Sequence, residues 1–165
     1  MKAGTGRAGL PVRVGADRPR ATVAGKRLQE RPLLMPDVII LYVEDNGLLR
    51  QTVAETLELE GWEVDACEDG LAALRKLESD APFNLFLFDN ELPGHGGLEL
   101  LRRARMLAHR RLTPAVIISA DEIRDEARRA GASVFLKKPD DIGLLVETIA
   151  ALLCGSASQA RTLEP

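Results

Sequence analysis

Three features of the sequence predict an α/β fold: a doubly wound, five-stranded parallel sheet with helices on both faces. The first is the stretch 38–43, VIILYV, which is apolar without a break and rich in β-branched residues, as a strand covered on both faces requires. The second is a strict alternation of five strand-like and five helix-like segments with short links, the pattern of right-handed crossovers between parallel strands. The third is that acidic, hydroxyl and lysine residues collect at the carboxyl ends of the strand segments. That is the end of an open parallel sheet where ligands bind.

The elements follow in order. After the strand at 38–43, the segment 46–61 carries Leu48, Leu49, Thr52, Val53, Thr56, Leu57 and Leu59 at helical spacing and stops at Gly61. WEVDAC, 62–67, alternates and is expected near a sheet edge. A helix over 69–80 places Leu71, Leu74 and Leu77 on one side. FNLFLF, 83–88, is the third strand, and 97–109 a helix. AVIIS, 115–119, is the fourth strand, followed by a short helix over 121–131 that ends on Gly131. SVFLK, 133–137, is the fifth strand, and 140–154 the last helix.

Composition bounds the class. The chain has 165 residues, 45% hydrophobic, enough for one domain with tails. Cys67 and Cys154 make neither a disulfide framework nor a zinc pattern. No apolar run nears the roughly 18 residues of a membrane span, and the N-terminus lacks the apolar core of a signal peptide. A cytoplasmic protein with no membrane partner is the expectation. Net charge is −3, divided unevenly. Residues 1–36 hold eight Lys and Arg against Asp17 and Glu30, a net of +6, which leaves −9 on the rest. This basic N-terminal extension, with four prolines and no steady period, is expected to be disordered, and 155–165 to be a flexible tail. Gly4–Gly9 reads GTGRAG, but no strand precedes it, so it is rejected as a dinucleotide motif.

The chemistry lies at the strand ends. Glu44 and Asp45 end the first strand, Asp89 the third, Ser119 the fourth, and Lys137, Lys138 and Pro139 the fifth. Each has a bland account. Asp45 or Asn46 could cap the first helix, Ser119 or Asp121 the fourth, Asp89 could begin an Asx-turn, and Lys138 could be a surface charge. All of these together, at one rim, are harder to sustain. Three carboxylates there repel unless a cation lies between them, and Lys138 supplies a single charge. A hard divalent cation such as Mg²⁺ is the natural remedy. Metal, lysine and hydroxyl together suit phosphoryl oxygens, and a neighbouring carboxylate can act as nucleophile.

With those residues in place, 37–154 resembles the receiver domain of two-component response regulators, and the chemotaxis response regulator in particular. The motifs are YVEDN (42–46), LFDNELPG (87–94), ISA (118–120), AGA (130–132) and FLKKP (135–139), in the family's order. The resemblance implies a flavodoxin-like sheet of strand order 2-1-3-4-5. It implies that Asp89 accepts phosphoryl from a phosphohistidine on a sensor histidine kinase or phosphotransfer protein. Asp45 and Asp89 would hold Mg²⁺ with the backbone carbonyl of Glu91, and Glu44 would act mostly through water. Lys138 would pair with the phosphoryl group, with Lys137 its exposed neighbour. Ser119 would bond a phosphoryl oxygen, and Phe135, at the aromatic switch position, would turn inward with it. The Lys138–Pro139 bond is commonly cis in the family.

The sequence departs from the family in several places. The segment from Ser119 to Gly131 is shorter than usual, Phe135 lacks a tyrosine hydroxyl, and PGHGG (93–97) lacks the acidic residue common before its last glycine. Glu91 and Asp121 flank the phosphoryl site. They read as solvated loop charges, or, if inward, as two more carboxylates that make metal dependence steep. His95 reads as an exposed loop residue.

The expected function is a phosphorylation-operated switch that changes a surface read by a downstream protein. It would not be an enzyme beyond phosphoryl transfer to its own Asp89 and hydrolysis of the product. The alternatives are a pseudo-receiver scaffold and the receiver piece of a hybrid histidine kinase. An aspartyl-phosphate phosphohydrolase would need a cap and an acid/base residue that the sequence does not offer. The eleven residues after Cys154 cannot form a DNA-binding unit, so direct DNA binding is not expected. The last helix is apolar nearly all round, which leaves pairing with a second copy open beside plain core packing.

Overall fold

The structure, a computed structural model, describes residues 38–161, with side chains described to residue 155. The basic extension 1–36, its GTGRAG stretch and the last four residues lie outside the described residues. The chain runs β1 (Ile39–Val43), α1 (Gly47–Leu59), β2 (Glu63–Cys67), α2 (Gly70–Glu78), β3 (Leu85–Asp89), α3 (Gly97–Met106), β4 (Ala115–Ser119), α4 (Arg124–Ala130), β5 (Val134–Lys137), a 3₁₀ turn (Ile142–Leu144) and α5 (Leu145–Arg161).

The five strands form one sheet in the order 2-1-3-4-5, parallel at every pairing. Right-handed crossovers determine the layers. The step from β1 to β2 goes one way along the sheet, and the later steps go the other way. α1 and α5 therefore cover one face, and α2, α3 and α4 the opposite one. Period-two side chains divide between the two cores. Leu41, Val43, Phe86, Phe88, Ile117 and Phe135 meet Leu77, Leu100, Leu101 and Ala127. Ile40, Tyr42, Leu85, Leu87, Val116 and Leu136 meet Val53, Leu57, Leu145 and Ile149. β2, alternating in sequence, is an edge strand and is half exposed.

The direction in which strands are added to the sheet reverses between β1 and β3, so a crevice opens above the tips of those two parallel strands. Two glycines shape the loop after β3. Gly94 has φ +79°, a left-handed turn that disfavours other residues. Gly97 opens α3 so close to β3 that a Cβ there would lie 2.4 Å from the Asp89 carbonyl oxygen.

Four expectations about element ends need correction. α3 ends at Met106 instead of 109, because residues 107–112 form a turn, with Arg110 N donating to Leu107 O at 3.0 Å. α4 begins at Arg124 instead of 121, because residues 120–123 form the turn that carries Ala120 and Asp121 past the strand tip. α5 begins at Leu145 instead of 140, since Asp141 and its neighbours close a 3₁₀ turn, with Leu144 N donating to Asp141 O at 2.9 Å. It also continues to Arg161, where a flexible tail was expected from residue 155. One glycine costs a helix only about 1 kcal/mol, and the Ser, Ala, Gln and Arg that follow are compatible with continued propagation. Leu145 and Ile149 of α5 are buried and Val146, Leu152 and Leu153 pack against them, so core packing takes up most of its apolar surface.

Candidate functional site

Each site residue is delivered by a strand tip or by the loop after it. β1 ends at Val43, and Glu44 and Asp45 follow in the turn into α1. Asn46 caps α1, accepting from Leu48 N and Leu49 N, both at 3.1 Å. Asp45 is therefore not needed as a cap and stands exposed at the mouth of the crevice. Arg50, one turn into α1, donates to the carbonyls of Glu44 (2.7 Å) and Asp45 (3.2 Å) and clamps this turn. Sequence reasoning missed Arg50; the available signal was a basic residue one helical turn from an acidic loop.

Asp89 is the last residue of β3 and only 2% exposed. Its Oδ1 accepts from Glu91 N at 3.2 Å, so the Asx-turn reading also holds. Its Oδ2 lies 2.7 Å from Lys138 Nζ, which also reaches Glu44 Oε2 at 3.0 Å. Lys138 is no surface charge: its side chain is 18% exposed and bridges two buried carboxylates 94 and 49 residues away. Lys137 points away and lies 3.8 Å from Glu122. The Lys138–Pro139 peptide is cis.

The electrostatics follow from burial. Glu44 is 1% exposed, and burial pushes its carboxyl above the ordinary range; Asp89 pushes the same way, while the Lys138 hydrogen bond pulls down without cancelling them. For Lys138 burial works downward, but the bonds to Asp89 and Glu44 outweigh it and raise the ammonium above its usual value. Tyr42 lies buried below, its hydroxyl without a hydrogen-bond partner among the described residues; burial first, and then the charges of Glu44 and Asp89, push its phenol up.

Glu44, Asp45 and Asp89 each offer a carboxylate oxygen within 4.8 Å of the others. Three hard oxygen donors with one exposed member fit Mg²⁺, which takes one or two carboxylates and keeps waters. The backbone carbonyl of Glu91 belongs to the loop just beyond Asp89.

Ser119 ends β4, fully buried. It does not cap α4. Its Oγ accepts from Asp121 N (3.0 Å) and donates to Glu91 Oε1 (2.5 Å), which also accepts from Ala120 N (2.9 Å). Glu91 is thus not a plain solvated loop charge. Burial alone would raise its carboxyl, but the bonds from Ser119, Ala120 and Asp121 and the charge of Lys138 hold it below the usual value. Asp121 stays exposed. Phe135 is 5% exposed, packed inward, with the Arg124 guanidinium 5.1 Å from its ring centre. His95, expected to be exposed, is half-buried beside Gly70, with Nδ1 3.0 Å from Glu99 Oε1.

A family model described as the response regulator receiver domain matches residues 40–150. The chain is 34% identical over 117 residues to the transcriptional regulatory protein CseB of Streptomyces coelicolor, covering 69% of this chain and 48% of that protein. It is 37% identical over 116 residues to the response regulator PmrA of Pseudomonas aeruginosa, covering 68% and 51%. The chain therefore spans about half the length of the relatives it matches. Among solved structures, chemotaxis protein CheY4 of Vibrio cholerae superposes with a TM-score of 0.65 at 28% identity, covering 71% of this chain and 99% of that one. The receiver domain of a Pseudomonas aeruginosa sensor histidine kinase, solved with magnesium in its active-site cleft, gives 0.64 at 26%, covering 72% and 98%. Among the described residues, no helix is long and apolar enough to cross a membrane. Strand order, strand-tip residues and these matches agree: the chain belongs to the response regulator receiver domain family of two-component signalling.

Proposed function

We propose that this domain accepts a phosphoryl group on Asp89, in a Mg²⁺-dependent reaction, from the phosphohistidine of a sensor histidine kinase or phosphotransfer protein. The carrying observation is the convergence on one buried carboxylate: Asp89 Oδ2 sits 2.7 Å from Lys138 Nζ, with Glu44 and Asp45 carboxylates close by. A carboxylate oxygen of Asp89 bonds to phosphorus as the phosphorus–nitrogen bond breaks and its electron pair leaves with the imidazole. Lys138 pairs with a phosphoryl oxygen, and Ser119 donates to another. A bound Mg²⁺ would supply neutralisation of the phosphoryl charge. Water later cleaves the acyl phosphate and restores Asp89. In this reading the protein is a switch acting on itself, and a downstream protein, or a second copy, reads the altered surface around α4 and β5.

The test is intact-mass measurement after incubation with acetyl phosphate, with and without Mg²⁺. Wild type with Mg²⁺ gains one phosphoryl group, and Asp89→Asn gains none. Equal labelling of the Asn variant, or labelling indifferent to metal, refutes the assignment.

A further inference from the structure

The contact between Glu91 and Ser119 joins the loop after β3 to the tip of β4, 28 residues apart in sequence. One oxygen, Glu91 Oε1, takes both the Ser119 hydroxyl proton and the Ala120 N–H. A serine hydroxyl has one proton, and here the Oγ lone pairs already accept from Asp121 N. Ser119 therefore has no donor left for another oxygen while Glu91 is in place. A carboxylate presents an anionic oxygen with the same appetite for charge-assisted bonds as a phosphoryl oxygen. Glu91 as a residue is exposed, so it can swing into solvent without opening the core.

We propose that Glu91 is a built-in stand-in for a phosphoryl oxygen: it occupies the Ser119–Ala120 donor pair until a phosphoryl group displaces it. This rests on the reading of Asp89 as phosphoacceptor. Glu91 is then a positioning residue that competes with the phosphoryl group and sets the resting state. Removing it frees the donors, so a phosphoryl analogue binds more tightly. A merely structural residue gives the opposite result, weaker binding.

The experiment uses the ¹⁵N-labelled full chain, with beryllofluoride and Mg²⁺ as the phosphoryl probe. Variants are Glu91→Ala, Glu91→Gln, Asp121→Asn and Asp89→Asn. Without the probe, the Ala120 amide proton resonates downfield in wild type, moves upfield in E91A and lies between the two in E91Q. With saturating Mg²⁺, beryllofluoride binds E91A about tenfold more tightly than wild type, as expected when a charge-assisted bond no longer competes. D121N removes the same charge nearby without vacating the donors and changes affinity no more than about twofold. An Ala120 amide unmoved in E91A, an unchanged or weaker affinity, or an equal gain in D121N overturns the proposal. D89N abolishes probe binding alone and combined with E91A. If probe binding survives D89N, or is absent from both wild type and E91A, the phosphoacceptor reading fails and the stand-in falls with it. The Ala120 amide still reports separately whether the Glu91 contact exists.

Discussion

Among the described residues, Lys138 is the cation bonded to the two buried carboxylates, with the exposed Asp45 beside them, while the Arg50 guanidinium is engaged by the Glu44 and Asp45 backbone carbonyls. One ammonium does not neutralise three anions, and the raised carboxyl of Glu44 expresses the imbalance. An acid whose folded pKa is raised lends relative stability that is complete below its unfolded value, about 4.3, and lost as pH rises through the folded value. Metal-free wild type should therefore lose stability over that climb. Glu44→Gln keeps an acceptor for Asn46 N, removes the charge and should flatten the slope. At pH 7 in chelator it should melt a few degrees higher, about 1 kcal/mol, yet gain less than wild type from added Mg²⁺. Thermal melts at pH 5 and pH 7, with and without metal, decide it; a metal-free E44Q less stable than wild type refutes the imbalance. Residues at strand tips were legible because a tip on a buried strand has one place to point. Glu91 was not, since its role depends on how two loops face each other across the crevice.

At the scale of elements, the connection after α3 does structural work for α2. Arg110, 3% exposed, donates from Nε to Leu77 O (3.1 Å) and from an Nη to Ser79 O (2.7 Å), with its guanidinium 5.0 Å from the Phe83 ring centre. His109 Nε2 lies 3.2 Å from the same two carbonyls. These are the orphan acceptors of a helix C-terminus, where a cation also meets the helix dipole favourably. Arg110→Ala leaves both carbonyls to the single His109 nitrogen, uncovers the Phe83 ring and should cost about 2–3 kcal/mol. Lys cannot bond both carbonyls and cover the ring at once, so Arg110→Lys should recover less than half. Urea unfolding measures both, and an Ala variant within about 0.5 kcal/mol of wild type would discard the clamp. The sequence offered Arg110 and Arg111 side by side with nothing to choose between them, because the turn that buries one and exposes the other is built by tertiary contact. Strands were readable, being short apolar runs with two covered faces. Helix ends were less so, as at α4 and α5, where a loop or a 3₁₀ turn took residues that helical spacing had claimed.

Across the whole domain, stability is expected to be graded toward the side that would signal. β3 is paired on both edges and buried at all five positions, and β1 and β4 are likewise paired on both edges. α4 has seven residues, no side-chain cap at its start, and buries only Ala127 and Ala130. Its ion pairs, Asp125–Arg128 and Glu126–Arg129, are exposed and worth about 0–1 kcal/mol each. Its far end is better held, by the left-handed Gly131 and by Arg105 donating to the Gly131 carbonyl at 2.9 Å. A short helix anchored at one end opens locally at a free energy well below that of global unfolding. Amide exchange should therefore be fastest, among the elements, in α4 and the edge strand β2, and slowest in β3. The gap between α4 and β3 should be about 100-fold or more, roughly 3 kcal/mol. Ser119 stands at the head of the loop into α4, so a change in its partner, in the proposed reading, would meet this soft element first. If α4 amides exchange as slowly as those of β3, the domain is uniformly rigid, and a surface change at α4 would have to be driven against the full stability of the fold.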